Sequence, residues 1–278
     1  MIKFPVIDLQ KKDCEQKFLS SLRETGFAVL KNHPLDLDLV KSIYKHWKLF
    51  FRSDQTQLYT YDKNNQDGFF SLSDAESAKG QLERDLKQYF HFYTWGRCPE
   101  DLREELLLYF DSALNFAVTL LSWIDNYLKD QMIGHKKQRL ADMVLGSHLN
   151  LLRILYYPPL KGHESALRAA PHEDINLITI LPMSNATGLE LLAQNKTWVP
   201  IRADFDNLVV NTGDMLQEVS GGVFPSASHR VLNPIGPSKN LSRMSLPLFV
   251  HPRPDVVLSE RHSADSYLSE RLRELGVV

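Results

Sequence analysis

The stretch APHEDINLITILP, residues 170–182, decides how this chain is interpreted. Its second half is an apolar, partly β-branched run typical of a buried strand, whereas its first half holds a histidine and two carboxylates. Side chains alternate between the two faces of a strand, so we expect His172 and Asp174 to point one way and Glu173 the other. The pattern predicts two metal ligands at the mouth of a β structure.

A third candidate ligand is His229, which lies in a second strand-like segment, VFPSASHRVL. Two imidazoles and one carboxylate form a facial site that leaves coordination positions open and suits non-haem Fe(II) oxygen chemistry. A structural zinc site needs four protein ligands, preferably cysteines, and no fourth ligand is evident. The alternatives are a surface turn at HED and an ordinary hydrogen-bonded role for His229.

An anion site is predicted in SRMSLPLFV, residues 242–250, where Arg243 and Ser245 share one face of a strand. Burying an unpaired guanidinium costs on the order of several kcal/mol, so an anion is expected to meet it. A carboxylate held bidentately by Arg243, with help from the Ser245 hydroxyl, would do so. The alternative places Arg243 on the outer face beside a surface acid.

Composition is that of a globular protein: 278 residues, 43% hydrophobic and 24% charged, with a net charge of −2. There is no basic excess for nucleic acid, and no apolar run approaches the ~18 residues of a membrane span. We therefore expect no nucleic-acid or membrane partner and a cytoplasmic location. The two cysteines, Cys14 and Cys98, lack metal-type spacing and predict neither a disulfide framework nor a zinc site.

The spacing of apolar residues along the chain changes near residue 150. Helical periodicity covers residues 14–24, 37–51 and 99–128, with short strand signals at 4–9 and 26–33. After residue 150 come eight strand-length segments: LLRILYY, INLITIL, GLELLA, TWVPI, NLVVNTG, DMLQEVS, the stretch around FPSASHRVL, and SRMSLPLFV. Such spacing predicts a sandwich, jelly roll or barrel, and residues 62–80 are expected to form a long irregular loop.

Several of these segments resemble the iron- and 2-oxoglutarate-dependent dioxygenases, in the subgroup of isopenicillin N synthase and the plant flavonoid and hormone oxygenases. HED, SHRV and RMS are similar to the family's HxD, H and RxS motifs. FPVIDL, GFAVLKNHPLD, LRILYYPP, TGLELL, TWVPI and LVVNTGDMLQ resemble further family segments in the same order. The resemblance covers most of the chain.

The resemblance implies a mainly β fold with α-helices, in which a double-stranded β-helix (jelly-roll) core is braced by helices of the N-terminal half. It implies one oxygenase domain over residues 1–278. That domain divides into a helix-rich region at 1–149, the jelly roll at 150–255 and a C-terminal helical tail at 256–278.

The resemblance also assigns roles. His172, Asp174 and His229 would be the catalytic Fe(II) ligands, while Arg243, Ser245 and Tyr157 would bind 2-oxoglutarate. The implied reaction uses O2, releases succinate and CO2, and oxidises, most commonly hydroxylates, a C–H bond of a small organic substrate. Ascorbate is a further candidate cofactor. The sequence says nothing of the oligomeric state.

The positions of several other side chains relative to the pocket are also predicted. Leu155 stands where many family members have Asn, which removes a polar contact, and Tyr156 is expected to pack on the opposite face from Tyr157. Arg153 is in phase with Tyr157 and faces either the pocket or a charged partner at the sheet surface. Candidate substrate contacts are Phe69, Phe70, Tyr89, Phe92, Arg168 and Arg253.

Two alternative functions stay open at this point. One is an oxidase like isopenicillin N synthase or the ethylene-forming enzymes, which keep the triad and the RxS pair but take electrons from substrate or ascorbate. The other is a catalytically inactive jelly roll that binds a ligand or partner; the presence of all three candidate ligands speaks against it.

Overall fold

The computed structural model describes residues 5–75, 84–130, 138–160, 162, 164–184, 186–201, 204–274 and 276. Within these ranges the chain forms two β-sheets and six α-helices. The helices are α1 (Cys14–Thr25), α2 (Leu37–Phe50), α3 (Glu100–Asp130), α4 (Leu140–Val144), α5 (Asp214–Val219) and α6 (Ala264–Glu274). The strands are β1 (Val6–Asp8), β2 (Phe27–Lys31), β3 (Gly68–Phe70), β4 (Gln88–Phe92), β5 (Leu151–Tyr157), β6 (Ala169–His172), β7 (Ile178–Pro182), β8 (Leu189–Leu192), β9 (Trp198–Pro200), β10 (Leu208–Thr212), β11 (His229–Val231), β12 (Arg243–Ser245) and β13 (Leu248–Val250).

The larger sheet has the order β1-β2-β10-β7-β13-β5-β4-β3, and β12 also pairs with β5. The β1–β2 pair is parallel and the other pairs are antiparallel. Strands β1 to β4 all come from the first half of the chain. The helix-rich region therefore extends the sheet at both ends, beyond the bracing role that the sequence predicted for it.

The smaller sheet has the order β6-β11-β8-β9 and is antiparallel. Apolar side chains from both sheets pack together, among them Val29 and Val209 of the larger sheet and Leu191 and Val231 of the smaller. The mainly β fold with helices is thus confirmed, and the two packed sheets form the core of the expected double-stranded β-helix.

Helix α3 runs for 31 residues and was predicted well from its apolar spacing. By length and composition alone it could also cross a membrane. The expectation that no run approaches membrane length was therefore wrong. Its buried residues Leu106, Ala113 and Leu120 belong to the main hydrophobic core with α2 and the larger sheet, as expected for a core helix.

The junction between α1 and β2 packs closely against the segment that precedes β11. Gly26 caps α1 with φ at 69° and donates its N–H to the Leu22 carbonyl at 2.8 Å. A Cβ at this position would lie 2.6 Å from both the Ala227 Cβ and the Pro225 carbonyl oxygen. Glycine is required here twice, for its backbone angle and for close approach to the segment that leads into β11.

Three local predictions were wrong. DMLQEVS is not a strand but helix α5, because Met215, Leu216 and Val219 are buried at helical spacing after Gly213. The expected loop at 62–80 contains strand β3, and its residues 76–80 lie outside the described residues. Strand β4 was missed because QYFHF is short, does not alternate between polar and apolar residues, and follows no turn signal.

Candidate metal centre

The HED segment does not begin a strand, as its sequence suggested, but connects the two sheets. His172 is the last residue of β6, in the smaller sheet, and β7 begins at Ile178, in the larger. Asp174 lies in the connection, where its carbonyl accepts the N–H of Asp214 at 2.7 Å. A Cβ on Gly213 would collide with the backbone of Asn176, so glycine allows this turn to pack tightly.

The three candidate ligands converge although they are distant in sequence. His172 and His229 are directly opposite each other on the paired strands β6 and β11, with ring centroids 4.3 Å apart. The Nε2 of His229 lies 3.9 Å from Oδ1 of Asp174. One ligand atom from each of the three residues lies within 4.8 Å of the others, which is a spacing that one metal ion can bridge.

Backbone carbonyls orient both imidazole rings. Nδ1 of His172 lies 2.8 Å from the Ala170 carbonyl oxygen, and Nδ1 of His229 lies 3.1 Å from that of Ala227. A carbonyl can only accept, so each Nδ1 carries the proton and donates it. The lone pair is left on Nε2 of each ring, which is the tautomer that binds a metal from this side.

The Asp174 carboxylate is held by one of its oxygens. Oδ2 accepts hydrogen bonds from the Thr179 hydroxyl at 2.6 Å and from the Asn211 amide at 2.7 Å. Thr179 is in turn fixed by the Asn176 amide at 2.9 Å. Oδ1 is thereby turned toward the imidazoles, and this outer set of hydrogen bonds orients the carboxylate before any ion binds.

Protonation states suit cation binding at neutral pH. Burial, followed by the neighbouring His229, lowers the pKa of His172 to about 4, so its ring is neutral. For Asp174, burial alone would raise the pKa, but His229, His172 and the hydrogen bonds from Thr179 and Asn211 outweigh it and lower the pKa. The site offers two imidazole nitrogens and one carboxylate, a donor set that fits Fe(II).

A small chamber of about 60 Å³ adjoins these ligands and contains the predicted anion-binding residues. Arg243 pairs with Tyr157, and Ser245 with Leu155, across the β12–β5 ladder, and all four line the chamber. Arg243 is 2% exposed, and its guanidinium carbon lies 5.1 Å from the centre of the Tyr157 ring. Its Nε and Nη1 have no hydrogen-bond partner in the described part of the chain, as expected of an anion-binding group.

The neighbouring residues of β5 divide between the two faces of the sheet. Tyr156 turns away from the chamber and stacks on Phe51, with ring centroids 5.5 Å apart, so its predicted packing role is confirmed. Leu155 lines the chamber in place of a polar group. Arg153 faces the interior, where its Nε donates to Nε2 of His91 at 2.9 Å.

A larger cavity of about 500 Å³ opens beside His172 and Asp174. Its walls combine charged and apolar groups from β4, β5, β13 and α6 and from residues that flank β4 and β13, including Lys87, His91, Arg153, Phe249, His251, Leu268 and Arg271. Lys87, Arg153 and Phe249 also line the small chamber, so the cavity and chamber meet beside the candidate ligands. Helix α6 closes one side, held by an ion pair of 3.4 Å between Arg271 and Asp214.

The predicted substrate contacts do not line either cavity. Phe69 and Phe92 belong to the main core, and Phe70 and Tyr89 form a separate aromatic cluster behind the chamber. Arg253 donates to the carbonyls of Asp142, Met143 and Leu145 at the end of α4. Arg168 is buried near Tyr157. Neither cavity therefore supports a substrate contact for these six candidates, because burial of a side chain does not reveal which cavity it faces.

Sequence reasoning missed several residues around the ligands. Thr179 lies in β7 and Asn211 in β10, and their sequences look like those of ordinary strands. Both side chains nevertheless donate hydrogen bonds to Asp174. Lys87 directly precedes β4, His91 lies in β4, and Leu268 and Arg271 lie in α6, all in segments far from the metal motifs in sequence. Strand alternation puts Lys87 and His91 on the same face once β4 is known to be a strand, but no spacing in the sequence relates that face to the ligands.

Comparison with known families and proteins gives a consistent result. Residues 149–252 match the family model of the 2OG-Fe(II) oxygenase superfamily, and residues 4–107 match that of the non-haem dioxygenase in morphine synthesis N-terminal region. The 2-oxoglutarate-dependent dioxygenase 11 of Oryza sativa subsp. japonica is 28% identical over 274 residues. That alignment covers 92% of this chain and 73% of the rice protein.

Two solved structures are similar over nearly their whole length. A protein from Shewanella oneidensis described as an oxygenase is 48% identical, with a TM-score of 0.88 and 100% of both chains covered. A 2OG-Fe(II) oxygenase family protein from Caulobacter crescentus is 27% identical, with a TM-score of 0.83 and coverage of 98% of this chain and 99% of the other.

Proposed function

This chain belongs to the 2OG-Fe(II) oxygenase superfamily, the Fe(II)/2-oxoglutarate-dependent dioxygenases, and from that membership we propose the roles of its residues and the nature of its substrate. His172, Asp174 and His229 bind Fe(II), and Arg243, Ser245 and Tyr157 bind 2-oxoglutarate. The substrate is a small organic molecule that enters the larger cavity. The observation that carries the proposal is the convergence of three oriented ligands beside a buried arginine with two unpartnered nitrogens.

The protein prepares the iron site through its own hydrogen bonds. The Ala170 and Ala227 carbonyls keep both imidazoles in the Nε2 lone-pair form, while Thr179 and Asn211 hold the Asp174 carboxylate ionised and oriented. Little side-chain motion is then needed when the ion binds, which favours affinity. Bound Fe(II) supplies the redox chemistry that couples 2-oxoglutarate and O2 to oxidation of a C–H bond.

Cosubstrate binding follows from the chamber. A carboxylate placed there accepts hydrogen bonds from the Arg243 guanidinium, which has unpartnered N–H groups, and from the Ser245 hydroxyl. The same chamber is lined by His172, Asp174 and His229, which would hold the Fe(II) that the keto-acid end of 2-oxoglutarate would bind. For hydroxylation the overall reaction balances as substrate C–H, 2-oxoglutarate and O2 giving C–OH, succinate and CO2. Ascorbate has the lesser role of keeping the iron reduced.

The proposal also covers the size of the substrate, the domain organisation, the cellular location and the partners. A cavity of about 500 Å³ is of the size that holds a small molecule. One hydrophobic core contains Ile7, Leu152, Val250 and Tyr267, which supports a single domain over residues 1–278, with its N-terminal, jelly-roll and tail regions. Cys14 and Cys98 are free, as is usual for a cytoplasmic protein. We place the enzyme there, with neither nucleic acid nor membrane as partner.

The alternatives have less support. An inactive ligand-binding jelly roll would not need the tautomer and carboxylate orientation that surround His172, Asp174 and His229. An oxidase that takes no 2-oxoglutarate has less support because the matching family model is that of the 2OG-Fe(II) oxygenases and the similar rice protein is a 2-oxoglutarate-dependent dioxygenase.

The proposal is tested by turnover of 2-oxoglutarate. The purified protein is incubated with Fe(II), ascorbate, O2, 2-oxoglutarate and a panel of small organic molecules, and succinate is measured. We expect succinate that depends on Fe(II) and rises with a true substrate. Asp174→Ala should abolish it, whereas the matched control Asp204→Ala, at an exposed acid away from the site, should retain it. Equal succinate from both variants would remove Asp174 from the site.

A further inference from the structure

A second buried arginine, Arg168, lies near the cosubstrate chamber. Arg168, directly before β6, is 1% exposed and is among the largest fully buried side chains. Its Nη2 donates to the Leu241 carbonyl at 2.8 Å, but its Nε has no hydrogen-bond partner. Among the described residues it forms no ion pair with a carboxylate. A buried cation in such a position requires compensation from elsewhere.

The location of Arg168 points to its counter-charge. Its guanidinium carbon lies 5.9 Å from the centre of the Tyr157 ring, and that of Arg243 lies 5.1 Å from the same ring. The carbonyl that Arg168 binds belongs to Leu241, two residues before Arg243. Burial, followed by the positive charge of Arg243, lowers the pKa of Arg168, so the two guanidinium groups are close enough to repel.

Two neighbouring buried cations with three unpartnered nitrogens form a stronger positive field than one arginine creates. Arginine stays protonated in proteins, so the repulsion cannot be relieved by losing a proton. An anion between or beside the two groups would relieve it, and the chamber next to Arg243 is the place where one enters. The pair is therefore best explained as a site that becomes electrostatically balanced only when the anion is bound.

We propose that Arg168 is a second cation of the cosubstrate site, which strengthens the hold on the distal carboxylate of 2-oxoglutarate by its charge. The inference rests on the proposed function. Arg168 does not line the chamber, so it acts as a positioning residue through Tyr157 and Arg243 and not by direct contact. The RxS motif contains only Arg243 and gives no indication of this second group.

A purely structural role is the competing explanation, because Arg168 also tethers the segment that leads into β12. The two roles differ in what they do to ligand selectivity. 2-Oxopentanoate has the keto-acid end of 2-oxoglutarate but a methyl group in place of the distal carboxylate. A charge effect of Arg168 changes only the binding of 2-oxoglutarate, whereas a loosened chamber weakens both ligands.

The experiment measures dissociation constants of both keto acids for the anaerobic Fe(II)-loaded protein by calorimetry. Arg168→Gln removes the charge and keeps an amide donor for the Leu241 carbonyl, Arg168→Lys keeps the charge, and Arg52→Met is a control at an exposed arginine. We expect Arg168→Gln to lower the preference for 2-oxoglutarate over 2-oxopentanoate about tenfold, or about 1.4 kcal/mol. Arg168→Lys should restore most of that preference.

Each outcome separates the inference from the proposed function. An unchanged preference in folded Arg168→Gln, or an equal loss for both keto acids, overturns the role of Arg168. If Arg168→Gln does not fold, Arg168→Lys decides, since failure to keep the preference in a folded cationic variant contradicts a charge effect. Arg243→Met should remove the preference almost completely. Wild-type protein that binds neither ligand contradicts the proposed function instead.

Discussion

Replacing Arg243 by methionine should change stability and ligand binding in opposite directions. In the structure its guanidinium is 2% exposed, and Nε and Nη1 have no protein partner among the described residues. Without cosubstrate, the charge is buried and uncompensated, so methionine should leave the free energy of unfolding unchanged or higher. With cosubstrate, the variant loses charge-assisted hydrogen bonds worth about 1.5–3 kcal/mol, which weakens 2-oxoglutarate binding by a factor of about 10 to 100.

The size of the effect can be followed through thermal unfolding. At a 2-oxoglutarate concentration of about 100 times the dissociation constant, the ligand stabilises the wild type by about 2.7 kcal/mol. A roughly 30-fold weaker constant in Arg243→Met reduces this to about 0.9 kcal/mol at the same concentration. For a chain of this length, a change of 1 kcal/mol moves Tm by about 2 °C, so the ligand-induced rise should fall from about 5 °C to below about 2 °C.

The assay is scanning calorimetry of the anaerobic Fe(II)-loaded protein with and without 2-oxoglutarate. Arg52→Met, which removes an exposed arginine, should show the full wild-type rise. Two results would refute the reasoning. A full ligand-induced rise in Arg243→Met would show that the guanidinium does not hold the carboxylate. A large loss of Tm without ligand would show that Arg243 is already compensated inside the protein.

Three further predictions concern the ligands and their surroundings. Asp174→Ala should retain the fold by circular dichroism but lose stoichiometric Fe(II) binding in equilibrium dialysis; tight binding by this variant would be contrary to the assignment. Thr179→Val removes a 2.6 Å hydrogen bond to Asp174 and should weaken Fe(II) binding by about 10- to 100-fold in the same assay, and an unchanged constant would make that bond dispensable. Burial lowers the pKa of His251 to about 4, so only the unfolded state gains this proton as the pH falls from 6.5 toward 4, and stability is lost across that window. Denaturant unfolding measures how far the free energy of unfolding falls between pH 7 and pH 5. This fall should be about 2 kcal/mol smaller in His251→Gln than in the wild type, and equal falls would rule out the His251 contribution.

The sequence was most informative where several functional residues lie close together in a short motif. Arg243 and Ser245 share a face of β12, so their placement follows from strand alternation. His172 and Asp174 were identified from their spacing, although Asp174 lies in the connection after β6 and not in a strand. The crossing of HED between two sheets could not be foreseen, because an apolar run after polar residues looks like one strand. Seven residues of DMLQEVS were likewise too few to separate helical spacing from strand alternation.

The walls of the larger cavity were less predictable for a physical reason. They are assembled from β4, β5, β13 and α6, whose contacts depend on tertiary packing and leave no spacing in the sequence. Lys87 and Arg271 illustrate this, since each is an ordinary charged residue until the fold brings it beside the candidate ligands. Arg168 shows the reverse case, because it was predicted to contact substrate but lies behind the chamber.

The most direct test of the central claim is an anaerobic titration of the Fe(II)-loaded protein with 2-oxoglutarate, followed by visible absorption. Chelation of iron by the keto acid produces a metal-to-ligand charge-transfer band. We expect a saturable band with one equivalent of iron in the wild type and no band in His229→Ala. Wild-type protein that binds iron but develops no band, or a His229→Ala variant that keeps it, would contradict the account.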